Sequence, residues 1–269
     1  IEKPVVLLEG VNTEADFVAA ANYQLSPVIH LHSQVQLLQT IKLPKPLQFN
    51  WLMIDSGMHR LGITPEQAPM ALELLKASTN LTDEIGLMSH FANSDLVGDS
   101  RNQQQLSPML DLRYQTGLAV CLANSAAVMS FPESQLDWVR PGLMLYGISP
   151  FDDKSGPELG LKPVMQLKTQ LIAVYDIEAG EEVGYGGDWT AEVPTRIGVA
   201  SIGYGDGYSR HLSNKSVVLL RGQKTPVVGR VSMDTICLNL NDVEQAVVGD
   251  EVTLWGLPEL PVEQLAQLA

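Results

Sequence analysis

The 269-residue sequence has few cysteines and no long apolar segment. Its two cysteines, Cys121 and Cys237, lie in separate apolar segments and form neither a disulfide framework nor a CxxC zinc motif. No apolar run approaches the roughly 18 residues of a membrane helix, and the N-terminus lacks the pattern of a signal peptide. We therefore expect a cytoplasmic protein with two buried free thiols, no membrane association and no metal site.

Basic residues are also scarce. Lysine and arginine total 17 against 31 acidic residues, which gives a net charge of −14. Such a charge repels the phosphate backbone of nucleic acids and anionic membrane surfaces, so we expect neither as a partner. Hydrophobic residues make up 45% of the chain, enough for a substantial core in one large domain or two medium ones.

The first half of the chain alternates between continuous apolar segments, typical of strands covered on both faces, and segments of helical spacing. Strands are predicted over 4–10, 27–32, 49–55, 85–91, 119–124 and 137–147. Helices are predicted over 13–24, 33–41, around 101–116 and over 125–130, and another begins with Thr64 as its cap and Pro65 at its first position. This alternation predicts six parallel strand–helix units. Six such units fit an open doubly wound sheet or most of an eight-stranded barrel.

The second half has a different pattern. From about residue 162, strand-like segments are separated by Gly, Asp or Asn turns, and helical spacing returns only over 262–269. We therefore predict an α/β part over 1–161 and a mostly antiparallel β domain over 162–269.

Polar residues follow four of the predicted parallel strands, where the working residues of α/β folds lie. They are Asp55, Arg60, His90, Asn93, Asp95, Asn124, Ser125 and Arg140. Each alone has an ordinary explanation, since an Asn-Ser pair commonly caps a helix. Together they predict one shared site. In an eight-stranded barrel, Ser125 and Gly142 would follow the last two strands, where phosphate commonly binds, so we expect a phosphorylated ligand.

Three glycine-rich segments stand out in the second half, at 181–187, 202–208 and 229–234. In the first two, glycines flank a tyrosine and permit tight turns and close backbone approach, although a β-hairpin with an edge tyrosine is the simpler alternative. A nucleotide-binding loop is not favoured, because the GxGxxG spacing is absent and no helix follows.

Seven motifs of the chain, in the same order, resemble those of bacterial alanine racemases. They lie at 54–62, 89–92, 124–126, 139–147, 183–186, 203–208 and 229–234. The resemblance implies a (β/α)8 TIM-type barrel, here lacking its first two strands, followed by a β domain. It also implies a head-to-tail homodimer with shared active sites and pyridoxal phosphate at the barrel mouth. The implied reaction interconverts L- and D-alanine by two-base proton transfer at the α-carbon of a pyridoxal phosphate aldimine, which supplies D-alanine for peptidoglycan.

The resemblance implies catalytic roles for Tyr185, His90 and Arg140. Tyr185 would be an acid/base residue that reaches into the partner subunit's barrel. A free tyrosine titrates near pH 10, and nearby positive charge and hydrogen bonding from His90 and Arg140 would favour its phenolate. Arg140 would also face the cofactor's pyridine nitrogen and, because arginine keeps its protons, leave that nitrogen unprotonated. Side reactions such as transamination would thereby be suppressed.

Further roles follow from the same resemblance. The implied cofactor-binding residues are Arg60, His90, Asn124, Ser125, Arg140, Gly142, Leu143 and Tyr204. The implied substrate-binding residues are Met233, Asp234 and Arg60. Residues of the substrate entrance would be Asp95, Arg210 and Arg230, although Arg230 is almost as well explained as a solvated turn residue.

The sequence departs from the family in two ways. It contains no Lys-Ala-Asn-Ala-Tyr-Gly-type motif, which carries the Schiff-base lysine. We expect about 60–80 residues to be missing at the front and part of the final helix and strand at the end, and we expect little activity from this chain alone. Met53 also stands where many members carry a carbamylated lysine, so Arg60 must find another partner, such as chloride or water, or sit differently. A broad-specificity amino-acid racemase and a non-catalytic ligand-binding scaffold are the alternatives.

Overall fold

The computed structural model describes residues 3–269, and the chain divides into two compact units, Ile1–Gly142 and Leu143–Ala269. The predicted boundary at 161/162 stays a prediction. Within the described residues, no helix is long and apolar enough to span a membrane.

The first unit is a parallel sheet with helices between its strands. The strands are β1 (Val5–Leu7), β2 (Leu25–Ile29), β3 (Asn50–Met53), β4 (Ile85–Met88) and β5 (Val120–Cys121). The helices are α1 (Glu14–Tyr23), α2 (His32–Thr40), α3 (Ala68–Ala77), α4 (Ser100–Thr116) and α5 (Ser125–Ser130). The strands lie side by side in chain order, β1-β2-β3-β4-β5. A doubly wound sheet reverses its strand order at a switch point, so the uninterrupted order identifies part of a TIM-type barrel.

The predicted sixth strand, 137–147, is wrong. Only Trp138 forms a parallel bridge, with Cys121, and the Arg140 amide donates to the Ala123 carbonyl oxygen at 2.8 Å. Pro141 follows directly, and because proline has no N–H to donate, it ends the ladder. This short attachment still brings Arg140 to the carboxyl end of β5.

Helix α3 begins later than predicted. Thr64 does not cap it; instead the Thr64 carbonyl accepts from the amides of Gln67 and Ala68, at 3.0 and 3.1 Å, and the helix begins at Ala68. The second proline, Pro69, explains the shift. Pro69 has no N–H to donate to the carbonyl four residues earlier. A regular helix therefore begins only at a residue that places Pro69 in the first turn, where a proline is tolerated.

The sheet has one face toward the helices and one concave face, because side chains alternate along each strand. The concave face carries an apolar cluster of Val28, Trp51, Met53, Met88 and Cys121. Trp51 packs edge-on against Phe49 and Trp138, with ring centroids 5.6 and 5.9 Å away. Gly86 lies opposite Trp51 on β4, and a Cβ there would meet the indole at 2.5 Å. The indole therefore occupies the space that a side chain at position 86 would need.

The second unit is a closed antiparallel barrel with strand order β10-β7-β6-β11-β8-β9, which confirms the predicted β domain. Its strands are β6 (Leu167–Ile177), β7 (Thr195–Ala200), β8 (Val217–Leu220), β9 (Gln223–Val228), β10 (Ile236–Asn239) and β11 (Glu251–Trp255). Helix α6 (Val262–Leu268) follows. Gly229, with φ of 73°, turns the chain out of β9 before β10 begins.

The close fit of Gly86 against Trp51 generates a prediction about stability. Gly86→Ala should lower the free energy of unfolding by about 1–3 kcal/mol, because overpacking forces the indole or the backbone to shift. Urea denaturation measures this. In a Trp51→Phe background, which removes the ring atoms that a Cβ would meet, the same change should cost clearly less. Equal losses in both backgrounds would contradict the explanation.

Candidate active site

An open cavity of about 350 Å³ lies at the carboxyl ends of the first unit's strands. This volume is in the range of small-molecule sites. It is lined by Leu8, Glu9, Met53, Ile54, Asp55, Met58, Arg60, Leu61, Met88, Ser89, His90 and Arg140. Three predicted site residues, Arg60, His90 and Arg140, therefore share one cavity.

Arg140 is held by backbone carbonyls from two neighbouring strand ends. Its Nη1 donates to the Cys121 carbonyl oxygen at 3.0 Å, and its Nη2 donates to the Ser89 carbonyl oxygen at 2.6 Å. Within residues 3–269, no carboxylate lies at salt-bridge distance from this guanidinium. Arg140 therefore presents an uncompensated positive charge beside the cavity, fixed in direction by carbonyl dipoles.

His90 lies against Arg140 and is neutral at physiological pH. Burial, followed by the charges of Arg140 and Arg60, lowers the pKa of His90 from 6.5 to about 4. Arg140 Nη2 contacts His90 Nδ1 at 3.2 Å. Because a guanidinium only donates, Nδ1 must be the acceptor, so Nε2 carries the proton. The positive charge at this site thus comes from the arginines, and His90 contributes a hydrogen-bond donor.

Arg60 sits on a loop organised by Asp55. The Asp55 carboxylate accepts from the amides of Gly57 and His59, at 3.0 and 2.9 Å. Burial alone would raise the pKa of Asp55, but these hydrogen bonds, with those from the His59 ring, lower it overall. Arg60 itself is exposed, and its side chain has no hydrogen bond or ion pair within the described part of the chain. Met53, buried in the same lining, offers it no polar atom.

The predicted phosphate-binding residues divide into two kinds. The Asn124 side chain caps α5, accepting from the Ala127 amide at 3.1 Å and from the Ser94 hydroxyl at 2.8 Å, so its ordinary role as a cap is the one observed. Ser125 and Gly142 do come together, since the Gly142 amide donates to Ser125 Oγ at 2.8 Å. Space beside Gly142 is open, because a Cβ there would meet nothing within 4 Å.

Two other predicted site residues, Asp95 and Leu143, lie at exposed positions. Asp95 lies in an exposed loop between β4 and α4. Leu143 is the first residue of the second unit, begins a short 3-10 helix and is half exposed.

Tyr185 stands at the tip of a hairpin-like loop in the second unit. The Val183 amide donates to the Trp189 carbonyl oxygen, and the Ala191 amide donates to that of Glu181, both at 2.9 Å. Gly184 and Gly186 flank the tyrosine with positive φ, which side chains disfavour. The tyrosine is 70% exposed. Its side chain is therefore free to meet a partner outside this unit.

Arg230 ties a second loop to the Tyr185 loop. Its guanidinium binds Asp188 through two hydrogen bonds, one of them, from Nη2 to Oδ1, at 3.0 Å. A Cβ on Gly186 would lie 2.9 Å from Arg230 Cζ. Hydrogen bonding from Arg230, with a smaller effect of the Arg210 charge, lowers the pKa of Asp188. Arg230 therefore has a defined partner in Asp188, although its side chain remains partly exposed to solvent.

The remaining candidates lie on adjoining loops of the same unit. The Tyr204 amide donates to the Ser232 carbonyl oxygen at 3.0 Å, and the Gly205 amide donates to that of Met233 at 2.8 Å. Tyr204, Met233 and Asp234 are all exposed. Arg230 and Met233 belong to the same segment, so the three glycine-rich segments contact one another, and the first of them forms a hairpin-like loop.

Comparisons with known proteins bear on this arrangement. Residues 1–150 match the family model for the alanine racemase N-terminal domain, and residues 164–269 match that for the alanine racemase C-terminal domain. The chain belongs to the alanine racemase family. An alanine racemase from Vibrio vulnificus is 44% identical over 267 residues, which cover 99% of this chain and 74% of that protein.

Solved alanine racemases share the fold. The biosynthetic alanine racemase from Pseudomonas aeruginosa is 40% identical, with a TM-score of 0.89, over 99% of this chain and 74% of that one. The alanine racemase from Bartonella henselae, solved with covalently bound pyridoxal phosphate, is 30% identical with a TM-score of 0.83, over 98% and 73%. These similarities confirm the partial TIM-type barrel followed by a β domain.

The surroundings of His90 predict its titration. An NMR titration should give His90 a pKa near 4. Arg140→Met should raise this pKa because the neighbouring positive charge is removed, while the larger lowering by burial stays. The unfolded chain takes up this proton first, so stability should fall as pH drops from about 6.5 to about 4. His90→Gln should remove that part of the pH dependence, with exposed His211→Gln as control. A wild-type His90 that titrates near 6.5 would contradict this interpretation.

Proposed function

We propose that this chain forms most of an enzyme that interconverts L- and D-alanine with pyridoxal phosphate as cofactor. The observation that carries the proposal is the pairing of Arg140 with a neutral His90 beside a cavity of about 350 Å³. A guanidinium without a carboxylate partner is suited to a ligand that accepts hydrogen bonds. Membership of the family and the Bartonella henselae structure with bound pyridoxal phosphate support the choice of ligand.

The residues present fit this cofactor. Ser125 and Gly142 lie beside open space and would hold the phosphate, helped by the Leu143 amide and Tyr204. Arg140 would face the pyridine nitrogen, and Arg60 the phenolic oxygen. When bound, pyridoxal phosphate supplies an electron sink that stabilises negative charge at the substrate α-carbon. Because arginine keeps its protons, Arg140 would place its positive charge near the ring nitrogen without protonating that nitrogen.

In this proposal the site is shared between two copies of the chain. Tyr185, on its exposed loop, would serve the cavity of the partner subunit. His90 Nε2–H would donate to the phenol oxygen of the partner subunit's Tyr185, with the positive charge of Arg140 behind it. Both effects stabilise a phenolate and lower a pKa that is otherwise near 10. Tyr185 Oη would then take the α-proton from one face of the substrate.

The remaining predicted residues would bind or admit the substrate. Met233 and Asp234 would bind it, and its entrance would be lined by Asp95, Arg210 and Arg230.

A second base is needed on the opposite face, and the family's lysine motif does not occur in these 269 residues. We expect the chain supplied with pyridoxal phosphate to show little racemisation. Fusion to a segment that carries the family's lysine motif should raise the rate by about 10²-fold or more, since a positioned base contributes about that much. Circular dichroism of alanine solutions over time measures both rates.

Other outcomes of this experiment separate the alternatives. Equal rates for the chain and the fusion would contradict the need for the lysine. A folded fusion that binds pyridoxal phosphate without racemising any amino acid would be a ligand-binding scaffold. Comparable rates with alanine, serine, lysine and arginine would instead identify a broad-specificity racemase.

The role of Tyr185 predicts an asymmetric loss. In the active fusion, Tyr185→Phe should slow α-proton removal from one enantiomer by about 10²–10⁴-fold and from the other far less, because each base serves one face. Single-turnover exchange of the α-proton in D₂O, started separately from L- and D-alanine, measures this. Tyr114→Phe, at a fully exposed site on α4, is the control. Equal losses for both enantiomers would contradict the assignment.

A further inference from the structure

The thiol of Cys121, at the end of β5, accepts a hydrogen bond from Arg140. Arg140 Nη1 lies 2.9 Å from Cys121 Sγ, and the cysteine is 2% exposed. We propose that the Cys121 side chain is a positioning residue, which fixes the Arg140 guanidinium and, through it, the hydrogen-bond state of His90. The contacts themselves lie within the first unit and do not depend on the proposed function. Only their importance for catalysis rests on that function.

The count of donors explains why the sulfur matters. The two terminal nitrogens of Arg140 carry four N–H groups. They have four acceptors: the Cys121 carbonyl oxygen and Sγ at Nη1, and the Ser89 carbonyl oxygen and His90 Nδ1 at Nη2. The two carbonyl contacts are available whatever residue stands at 89 or 121. Only the contact to Sγ depends on the side chain at 121, and without it one N–H is left without a partner.

An unpartnered N–H would allow the guanidinium to turn. Carboxylates of the same cavity lining, Glu9 at the end of β1 and Asp55 at the end of β3, offer alternative acceptors for a charged donor. Rotation toward either of them would draw Nη2 away from His90 Nδ1. Cys121 therefore keeps Arg140 directed at the histidine rather than at the acidic residues of the cavity.

A thiol also has a property that a carboxylate at the same position would lack. Burial raises the pKa of Cys121, although the charge of Arg140 and its hydrogen bond act in the opposite direction. The sulfur is therefore protonated and neutral at physiological pH. It accepts a hydrogen bond without cancelling the positive charge that Arg140 directs toward the cavity, where Arg60 is the other cation.

The test uses the whole chain and needs no cofactor. Nitrogen-15 NMR of the histidine rings reports which nitrogen of His90 carries the proton and how it titrates. In Cys121→Ala, and in Cys121→Val, which fills the space without an acceptor, the pKa of His90 should rise above about 4 because the Arg140 charge turns away from the ring, while the lowering by burial stays. Nδ1 should also no longer act only as an acceptor, so part of the His90 population should carry its proton on Nδ1. Cys121→Ser retains an acceptor and should stay close to wild type, as should the control Cys237→Ala in the other unit.

Two results would overturn the inference. One is a folded Cys121→Val variant in which His90 keeps its wild-type pKa and proton position. The other is a Cys121→Ser variant that changes His90 as much as alanine does, because packing rather than hydrogen bonding would then be responsible. A racemase assay of the same variants in the fusion separates the two proposals. Altered His90 in the variants, together with a wild-type fusion that does not racemise alanine, would count against the proposed function alone. An active wild-type fusion with unaltered His90 in the variants would count against the role of Cys121 alone.

Discussion

The first unit's site depends on one constraint: a guanidinium that keeps its full charge needs acceptors for its terminal N–H groups that are not carboxylates. Burial of an unpaired charge is costly unless dipoles replace the lost water. The Arg140 terminus receives that compensation from the carbonyl oxygens of Ser89 and Cys121. Leu87 pairs with Val120, and Met88 with Cys121, so the parallel register of β4 and β5 sets where these carbonyls lie. The sheet thereby determines the direction of the charge as well as its position.

Much of this arrangement could be predicted from the sequence. Carboxyl ends of neighbouring parallel strands meet at one edge, so His90 and Arg140 were expected together and lie in contact. The glycine spacing of the second half likewise predicted tight, closely packed segments. Their meeting through the Arg230–Asp188 ion pair is a matter of tertiary structure, since 42 positions separate the two residues and no periodic pattern links them.

The wrong predictions share a physical cause. A strand over 137–147 and a helix starting at Thr64 both followed from local hydrophobicity and capping preference. In each case a proline nearby, Pro141 or Pro69, removed a donor that the regular element required. The contact of Cys121 with Arg140 was missed for another reason: a buried cysteine in an apolar segment gives no sign of the group beyond it.

The aromatic cluster on the concave face has a consequence for ligand traffic. Trp51 lies two residues before Met53 on β3, on the amino-terminal side of the cavity, and packs with Phe49 and Trp138. Those rings fill the sheet face on that side, while the cavity itself lies at the carboxyl ends of the strands. The substrate and product of a racemase are mirror images of identical size and charge, so one opening at the carboxyl ends of the strands would serve both directions of turnover.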